Sequence, residues 1–217
     1  VRVERCRLHA PQRGEFARIR ARRDERQLLE LQVGAVVVHP ANPNEVTVAA
    51  IGQAFNPSGE RGVYRTTDGG KTWNKTLAGS NLSTGCSDLE MDPANPEVLF
   101  ASLWDFRRQG WTFRSGGNGE TAASGSGLFR SADGGAHWTE LTPTANKGFP
   151  AKPYGRFALA IAPSDPKIVY AVIESTRSAL FRSNDGGVTW EERDRSQMMV
   201  WRPFYFSNLI VDPKNPE

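Results

Sequence analysis

The sequence lacks the features that mark membrane-spanning, disulfide-linked and common catalytic proteins. Its 217 residues include two cysteines, Cys6 and Cys86, which lie far apart and predict no disulfide framework. Apolar residues make up 38% of the chain without forming a run of 18, so no membrane span is predicted. Residues 1–5 have no apolar core and do not resemble a signal peptide. No Ser-His-Asp order, metal-ligand cluster or phosphate loop occurs, so the sequence predicts no cofactor and no metal.

The net charge of +3 is concentrated at the start of the chain. Residues 1–26 contain nine arginines against four acidic residues, and the rest of the chain has 18 basic and 20 acidic residues. Because the body of the chain is close to neutral, we do not expect nucleic acid as a partner.

Two segments alternate along most of the chain, and both are rich in Val, Ile, Leu, Phe and Tyr. The first is an apolar strand, a turn with two prolines and a second strand. The second segment is a strand followed by an Asp-Gly-Gly turn, and a tryptophan comes shortly after this turn in every copy. Copies of the first segment occupy residues 36–51, 89–104 and 159–174, with a further partial copy at 209–217, and copies of the second occupy 62–73, 127–138 and 179–190.

This alternation predicts four antiparallel strands in each repeat. Proline fixes φ and removes a backbone donor, which ends a strand, and the glycines permit the positive φ of a tight hairpin. The repeats recur every 50–70 residues, which is the spacing of propeller blades. The predicted fold is an all-β propeller fragment of about three four-stranded antiparallel blades plus the first strand of a fourth.

The second segment resembles the Asp-box, or BNR, repeat S/T-x-D-x-G-x-T-W. The first and third copies match at every position, and the second departs only at His137. Over about residues 33–217 the chain resembles bacterial glycosyl-hydrolase-like BNR proteins and the sortilin N-terminal propeller, and more distantly xyloglucanases and sialidases. We interpret the Asp boxes as structural, because a turn aspartate can accept backbone N–H groups and the tryptophan can pack between sheets. The structural Asp-box residues are Thr66, Asp68, Gly70, Trp73, Ser131, Asp133, Gly135, Trp138, Ser183, Asp185, Gly187 and Trp190.

The Arg-rich residues 1–32 do not fit the repeat pattern, so the predicted partial propeller covers residues 33–217. One interpretation is a frame-shifted or wrongly assigned start, which the lack of any strand pattern favours. The alternative is a native extension that is disordered or helical.

The strand order predicts that one face of the propeller carries function. The hairpins after the first and third strands share a lower face and are nearly identical in every copy. The loops of the upper face differ greatly in length, at residues 52–61, 105–127 and 175–178. Variable loops on a repeated scaffold are where ligands bind, so we predict the site on the upper face.

Asp88, at the start of a first strand, is the candidate catalytic carboxylate, acting as acid or base. An inter-blade hydrogen bond is its structural alternative. Arg156 and Arg202 occupy matching loops, where they can hold a ligand bidentately or cap carbonyl groups between blades. Tyr205 can assist them.

The longest loop is a candidate sugar-binding platform. Exposed aromatic side chains beside charges can stack on sugar rings, whereas packing against the neighbouring blade is the alternative. The candidate ligand-binding residues of this loop are Trp104, Asp105, Arg107, Arg108 and Trp111.

The resemblance implies a glycoside hydrolase that acts on or binds a poly- or oligosaccharide. Hydrolysis of a glycosidic bond needs two carboxylates. Asp88 is the first candidate and Asp105 is a weaker second candidate. We therefore expect the second carboxylate to come from the remaining blades. The alternatives are a sortilin-like propeller that binds a peptide or protein without catalysis, and a scaffold domain of a larger secreted protein. The expected partners are thus a carbohydrate or peptide and the remaining propeller blades, in an extracytoplasmic or secreted location.

Overall fold

The computed structural model describes residues 32–53, 56–106, 124–196 and 208–217. These ranges contain twelve β-strands and no helix, so no described helix could cross a membrane. The strands are β1 (Gln32–Val38), β2 (Val46–Gly52), β3 (Gly62–Thr66), β4 (Asn74–Leu77), β5 (Thr84–Met91), β6 (Leu99–Asp105), β7 (Gly127–Ser131), β8 (Thr139–Glu140), β9 (Phe157–Ile161), β10 (Val169–Ile173), β11 (Ala179–Ser183) and β12 (Glu191–Asp194).

Each set of four consecutive strands forms one antiparallel sheet. The orders are β1-β2-β3-β4, β5-β6-β7-β8 and β9-β10-β11-β12, which we call the first, second and third blades. The prediction of three four-stranded blades is confirmed, and the fold is an all-β propeller fragment.

The two hairpins of every blade meet on the same face, as the strand order predicts. In each blade the first glycine of the Asp-Gly-Gly turn donates its backbone N–H to the proline-containing turn. These bonds join Gly69 to Asn44 at 3.0 Å, Gly134 to Glu97 at 2.9 Å and Gly186 to Lys167 at 2.8 Å. The loops between second and third strands therefore open on the opposite, upper face.

The core lies between blades because side chains alternate across each strand. Leu89 and Leu99 pack with Val63 between the first and second blades. Phe100, from the other side of β6, packs with Leu159 between the second and third blades. Strands β5 and β6 contact β9 along this second boundary, which we call the seam.

Residues 208–217 repeat the start of a blade in sequence but form no strand, since within the described chain they have no second strand to pair with. They contact the third blade instead. The Tyr170 hydroxyl donates to the Pro216 carbonyl at 2.7 Å, and the Arg182 guanidinium binds both carboxylate oxygens of Glu217 at 2.6 and 2.5 Å. The predicted segment 1–32 lies outside the described residues except for Gln32, which begins β1.

Candidate functional site

The Asp-box carboxylates are occupied by their own turns. The backbone N–H groups of Lys71 and Thr72 donate to Asp68 Oδ1 at 2.8 and 2.9 Å, and the Thr72 hydroxyl donates to Oδ2 at 2.7 Å. The Thr66 hydroxyl adds a bond of 2.8 Å and accepts the Gly70 N–H at 3.0 Å. The Thr72 N–H and hydroxyl, followed by the Thr66 hydroxyl, hold the pKa of Asp68 well below its usual range.

The other two boxes repeat this arrangement with one substitution. In the third blade the Thr189 N–H and hydroxyl bind Asp185 at 2.8 and 2.6 Å. In the second blade the His137 N–H binds Asp133 at 2.9 Å, and the ring Nδ1 lies 2.6 Å from the other oxygen. These contacts from His137 lower the pKa of Asp133 to about 2. The imidazole thus occupies the place of the threonine hydroxyl, and all three carboxylates are engaged on the lower face.

Asp88 lies within β5 on the side that faces the third blade. Its Oδ2 accepts the backbone N–H of Leu159 in β9 at 3.0 Å, and its Oδ1 accepts the N–H of Leu89 at 3.0 Å. Burial raises the pKa of Asp88, although these two bonds and the nearby Arg156 charge oppose that rise. The carboxylate thus makes the inter-blade hydrogen bond that the sequence offered as its structural alternative. Its catalytic role stays a prediction.

Arg156 lies at the upper end of the seam, directly before β9. Its guanidinium carbon is 5.5 Å from the Trp104 ring centroid, and its backbone N–H donates to Glu174 Oε2 at 2.9 Å. Glu174 is buried, and the lack of a side chain at Gly155 leaves room for its carboxylate, because a Cβ there would lie 2.0 Å from Oε2. Charged groups from the second and third blades therefore converge here: Asp88 of β5, Arg156 before β9 and Glu174 after β10.

Trp104 is not an exposed platform in this structure. Its side chain is 5% exposed, Phe106 packs edge-on with ring centroids 4.6 Å apart, and Arg156 lies over the ring. A sugar cannot stack on Trp104 in this arrangement. The tryptophan instead supports the position of the Arg156 guanidinium.

Asp105 is buried and holds the bases of two upper loops together. Its carboxylate accepts bonds from the Asn81 amide at 2.9 Å, from the Ser83 hydroxyl and from the Gly125 N–H at 3.1 Å. With 2% of its surface exposed, Asp105 lies behind the surface that a ligand would reach. The expectation of Asp105 as a second carboxylate for a ligand therefore does not fit its buried, fully bonded position.

Glu90 is an acidic residue near the lower end of β5 that the sequence analysis did not single out. It lies two residues after Asp88 on the same side of β5, is partly exposed, and accepts no hydrogen bond from any described residue. Burial and then the Asp88 charge raise the pKa of Glu90 to about 8. The corresponding residues of the other blades are Val37 and Ala160. An acidic residue at a position that is apolar elsewhere in the repeat was the available signal.

Five predicted ligand-binding residues remain untested because they lie outside the described residues. They are Arg107, Arg108, Trp111, Arg202 and Tyr205. In the part of the chain that the structure describes, the predicted residues that come together are Asp88, Trp104 and Arg156.

The blades and their turns define an Asp-box β-propeller fragment. The BNR/Asp-box repeat model matches residues 64–75, the Asp-box segment of the first blade. A xyloglucanase of Paenibacillus sp is 28% identical over 73% of this chain, and the xyloglucanase Xgh74A of Acetivibrio thermocellus is 27% identical over 73%. The photosystem II assembly lipoprotein Ycf48 of Synechococcus sp. is 28% identical over 70%.

The chain covers a small part of these relatives. It spans 16% and 19% of the two xyloglucanases and 36% of Ycf48. Among solved structures, the GH74 xyloglucanase from Xanthomonas campestris matches 85% of this chain and 26% of its own, with a TM-score of 0.56 and 18% identity. An ancestral GH74 enzyme matches 77% of this chain and 19% of its own, with a TM-score of 0.53 and 20% identity. These structures support the propeller fold.

Proposed function

We propose that the upper face of this glycosyl-hydrolase-like propeller binds a poly- or oligosaccharide, and that the full-length protein hydrolyses it. The observation that carries the proposal is the convergence of Asp88, Arg156 and Glu174 at the upper part of the seam. The likeness to proteins named as xyloglucanases makes xyloglucan the first carbohydrate to test.

The chemistry of this cluster suits a neutral polyhydroxylated ligand. A guanidinium donates several hydrogen bonds in a fixed plane, which suits the hydroxyl oxygens of a sugar. Trp104 lies against the Arg156 guanidinium and Glu174 binds the Arg156 backbone, so the arginine is held on two sides. Such support lowers the conformational entropy that a ligand must remove on binding.

The predicted residues outside the described ranges extend this proposal along the same face. Arg107, Arg108 and Trp111 lie in the segment 107–123, between β6 and β7 in the sequence, and we propose that this segment supplies the stacking contact. Arg202 and Tyr205 lie in the segment 197–207, which follows β12 in the sequence. We propose that they bind the far end of the ligand.

The test is xyloglucan binding and reducing-end release by the full-length protein. We expect Arg156→Ala to weaken binding by at least about tenfold, since a charge-assisted hydrogen bond is worth about 1.5–3 kcal/mol. Arg193→Ala is the matched control, because Arg193 is exposed on the outer strand β12. Equal binding by both variants and the wild-type protein, or no binding of any glycan, contradicts the proposal.

The second candidate is a propeller that binds a peptide or protein without chemistry. One observation favours it: a relative of which this chain covers 36% is named as an assembly lipoprotein rather than a hydrolase. The relatives named above give no support to a likeness to sortilin in particular. Peptide binding that Arg156→Ala abolishes, with no glycan bound, would select this candidate.

A further inference from the structure

The third strand of every blade carries one arginine near its lower end. These residues are Arg65 in β3, Arg130 in β7 and Arg182 in β11. The guanidinium carbon of Arg130 lies 5.9 Å from the ring centroid of its cross-strand partner Phe100, and that of Arg182 lies 5.6 Å from the ring of its partner Tyr170. The repeat thus places the same cation at the same place in each blade.

A glutamate from the following proline turn meets this arginine at two blade boundaries. After the third blade, Glu217 follows the second proline of its turn and binds Arg182 through both carboxylate oxygens at 2.6 and 2.5 Å. Between the first and second blades the equivalent residue is Glu97. A Cβ at Gly134 would lie 3.2 Å from Glu97 Oε2 and 3.4 Å from Arg65 Nη2, so the acid and the arginine reach the same point above the Asp-box turn.

Arg130 lacks such a partner among the described residues. Arg65 also pairs with Glu45 of its own blade at 2.9 Å, whereas no described carboxylate forms an ion pair with Arg130. The residue after the second proline at this boundary is Lys167, which is exposed. The residues across the sheet from Arg130 are a phenylalanine and a threonine. The lower end of the seam therefore carries two cations where the neighbouring boundaries carry an arginine and a glutamate.

The space that the glutamate reaches at the first boundary is open at the seam. Gly186 takes the place of Gly134 in the third Asp-box turn and donates its backbone N–H to the Lys167 carbonyl at 2.8 Å. A Cβ at Gly186 would have no atom within 4 Å, although the same position at Gly134 is close to both charged side chains. An incoming group can therefore occupy this space without displacing a protein atom.

The acidic residues around this space are held elsewhere. Asp165, in the same turn as Lys167, accepts the Lys167 backbone N–H at 3.2 Å, and Asp185 is bound by the Thr189 N–H and hydroxyl. Glu90 lies two strands away from Arg130, with a phenylalanine between them across the sheet. A carboxylate is the ligand that fits, because a guanidinium binds it through two parallel hydrogen bonds, as Arg182 does.

We propose that the lower end of the seam binds an acidic segment of a partner protein, with one glutamate carboxylate between Arg130 and Lys167 above the Gly186 turn. The carboxylate accepts N–H groups of the Arg130 guanidinium, and the Lys167 ammonium adds a second positive charge. This site lies on the face opposite the proposed glycan site, so its occupation does not depend on glycan binding or hydrolysis.

The test is the binding of a fluorescein-labelled peptide of eight glutamates to the full-length protein at low salt, measured by fluorescence anisotropy. Arg130→Gln removes the guanidinium, and Lys167→Glu supplies the carboxylate from within the chain. Each should weaken binding by at least about tenfold. Lys71→Glu is the matched control, because it makes the same charge change on an exposed lysine of the first Asp-box turn, and it should bind within about twofold of the wild-type protein.

A second measurement needs no peptide. Lys167→Glu should raise Tm by about 2 °C or more by pairing with Arg130, and Arg130→Gln should abolish this gain in the double variant. A Tm gain that persists in the double variant, or no gain at all, overturns the assigned geometry and the proposal with it. Equal peptide binding by all variants, an equal loss in Lys71→Glu, or binding of inorganic phosphate without binding of the peptide also overturns it.

Discussion

Replacing the Asp-box tryptophan by alanine should destabilise the three blades by unequal amounts. Trp190 is 5% exposed, donates its indole N–H to the Gly187 carbonyl at 3.0 Å and packs on Phe149 with ring centroids 5.7 Å apart. Trp138 is half-buried, and its indole N–H donates to the Gly135 carbonyl and to the Thr76 hydroxyl, each at 3.1 Å. Trp73 is half-buried, and its indole makes no hydrogen bond to any described residue.

The size of each loss follows from burial and hydrogen bonding. Trp190→Ala should lower the free energy of unfolding by about 3–5 kcal/mol, the usual cost of emptying a fully buried tryptophan site. Trp138 buries part of that area, and its indole N–H is shared between two acceptors, so we expect Trp138→Ala to cost about 2–3 kcal/mol. Trp73→Ala should cost about 1–2 kcal/mol, since it loses a similar partial area without a hydrogen bond.

The assay is urea unfolding followed by far-UV circular dichroism, because tryptophan fluorescence itself changes among the variants. Val188→Ala is the control, as Val188 lies in the third Asp-box turn but is 56% exposed, and it should change stability by less than about 0.5 kcal/mol. Glycan binding per folded molecule should stay the same in all variants, because these turns lie opposite the proposed site. Equal losses at the three tryptophans, or the largest loss at Trp73, would refute this reasoning.

Two further predictions concern pH. The folded protein holds the Glu90 proton up to about pH 8 whereas the unfolded chain releases it near pH 4.5, so stability should fall as pH rises from about 5 to 8, and Glu90→Gln should flatten this slope in thermal melts. Asp133 has the opposite sign: its pKa is lowered to about 2, so its stabilising effect should be lost between about pH 4 and pH 2. Asp133→Asn should remove this loss of stability at low pH. If the stability of Asp133→Asn falls between about pH 4 and pH 2 as much as that of the wild-type protein, the hydrogen bonds between Asp133 and His137 do not have the proposed effect.

The blade architecture was predictable because its signals are local. Proline ends a strand wherever it falls, and Asp-Gly-Gly turns the chain within a few residues, so strand order and the shared lower face followed from the repeat. The glycines of all three Asp-box turns adopt positive φ, as at Gly69 and Gly70 with 73° and 83°. The segment 209–217 has the same local signal but no strand, since a strand also needs a neighbour to pair with.

The candidate site was predictable in part because it depends on contacts between blades. The sequence singled out Asp88 because it belongs to the first strand of a blade, and Arg156 because it directly precedes such a strand. The burial of Trp104 beneath Arg156 was not, because it depends on how two sheets pack. Glu90 was missed for a related reason: the main cause of its raised pKa is burial, which depends on the packing of the sheets, and the charge of Asp88 adds to it.

The backbone hydrogen bond between the two hairpins of each blade determines where the blade can accept an insertion. Gly69, Gly134 and Gly186 each tie the Asp-box turn to the proline turn of their own blade, so the lower end of a sheet closes without help from the upper loops. An insertion above a second strand therefore leaves the pairing below it intact. The segments between second and third strands can therefore differ in length, as 174–178 and 106–126 do, and the shorter one is a suitable point for grafting a foreign binding loop.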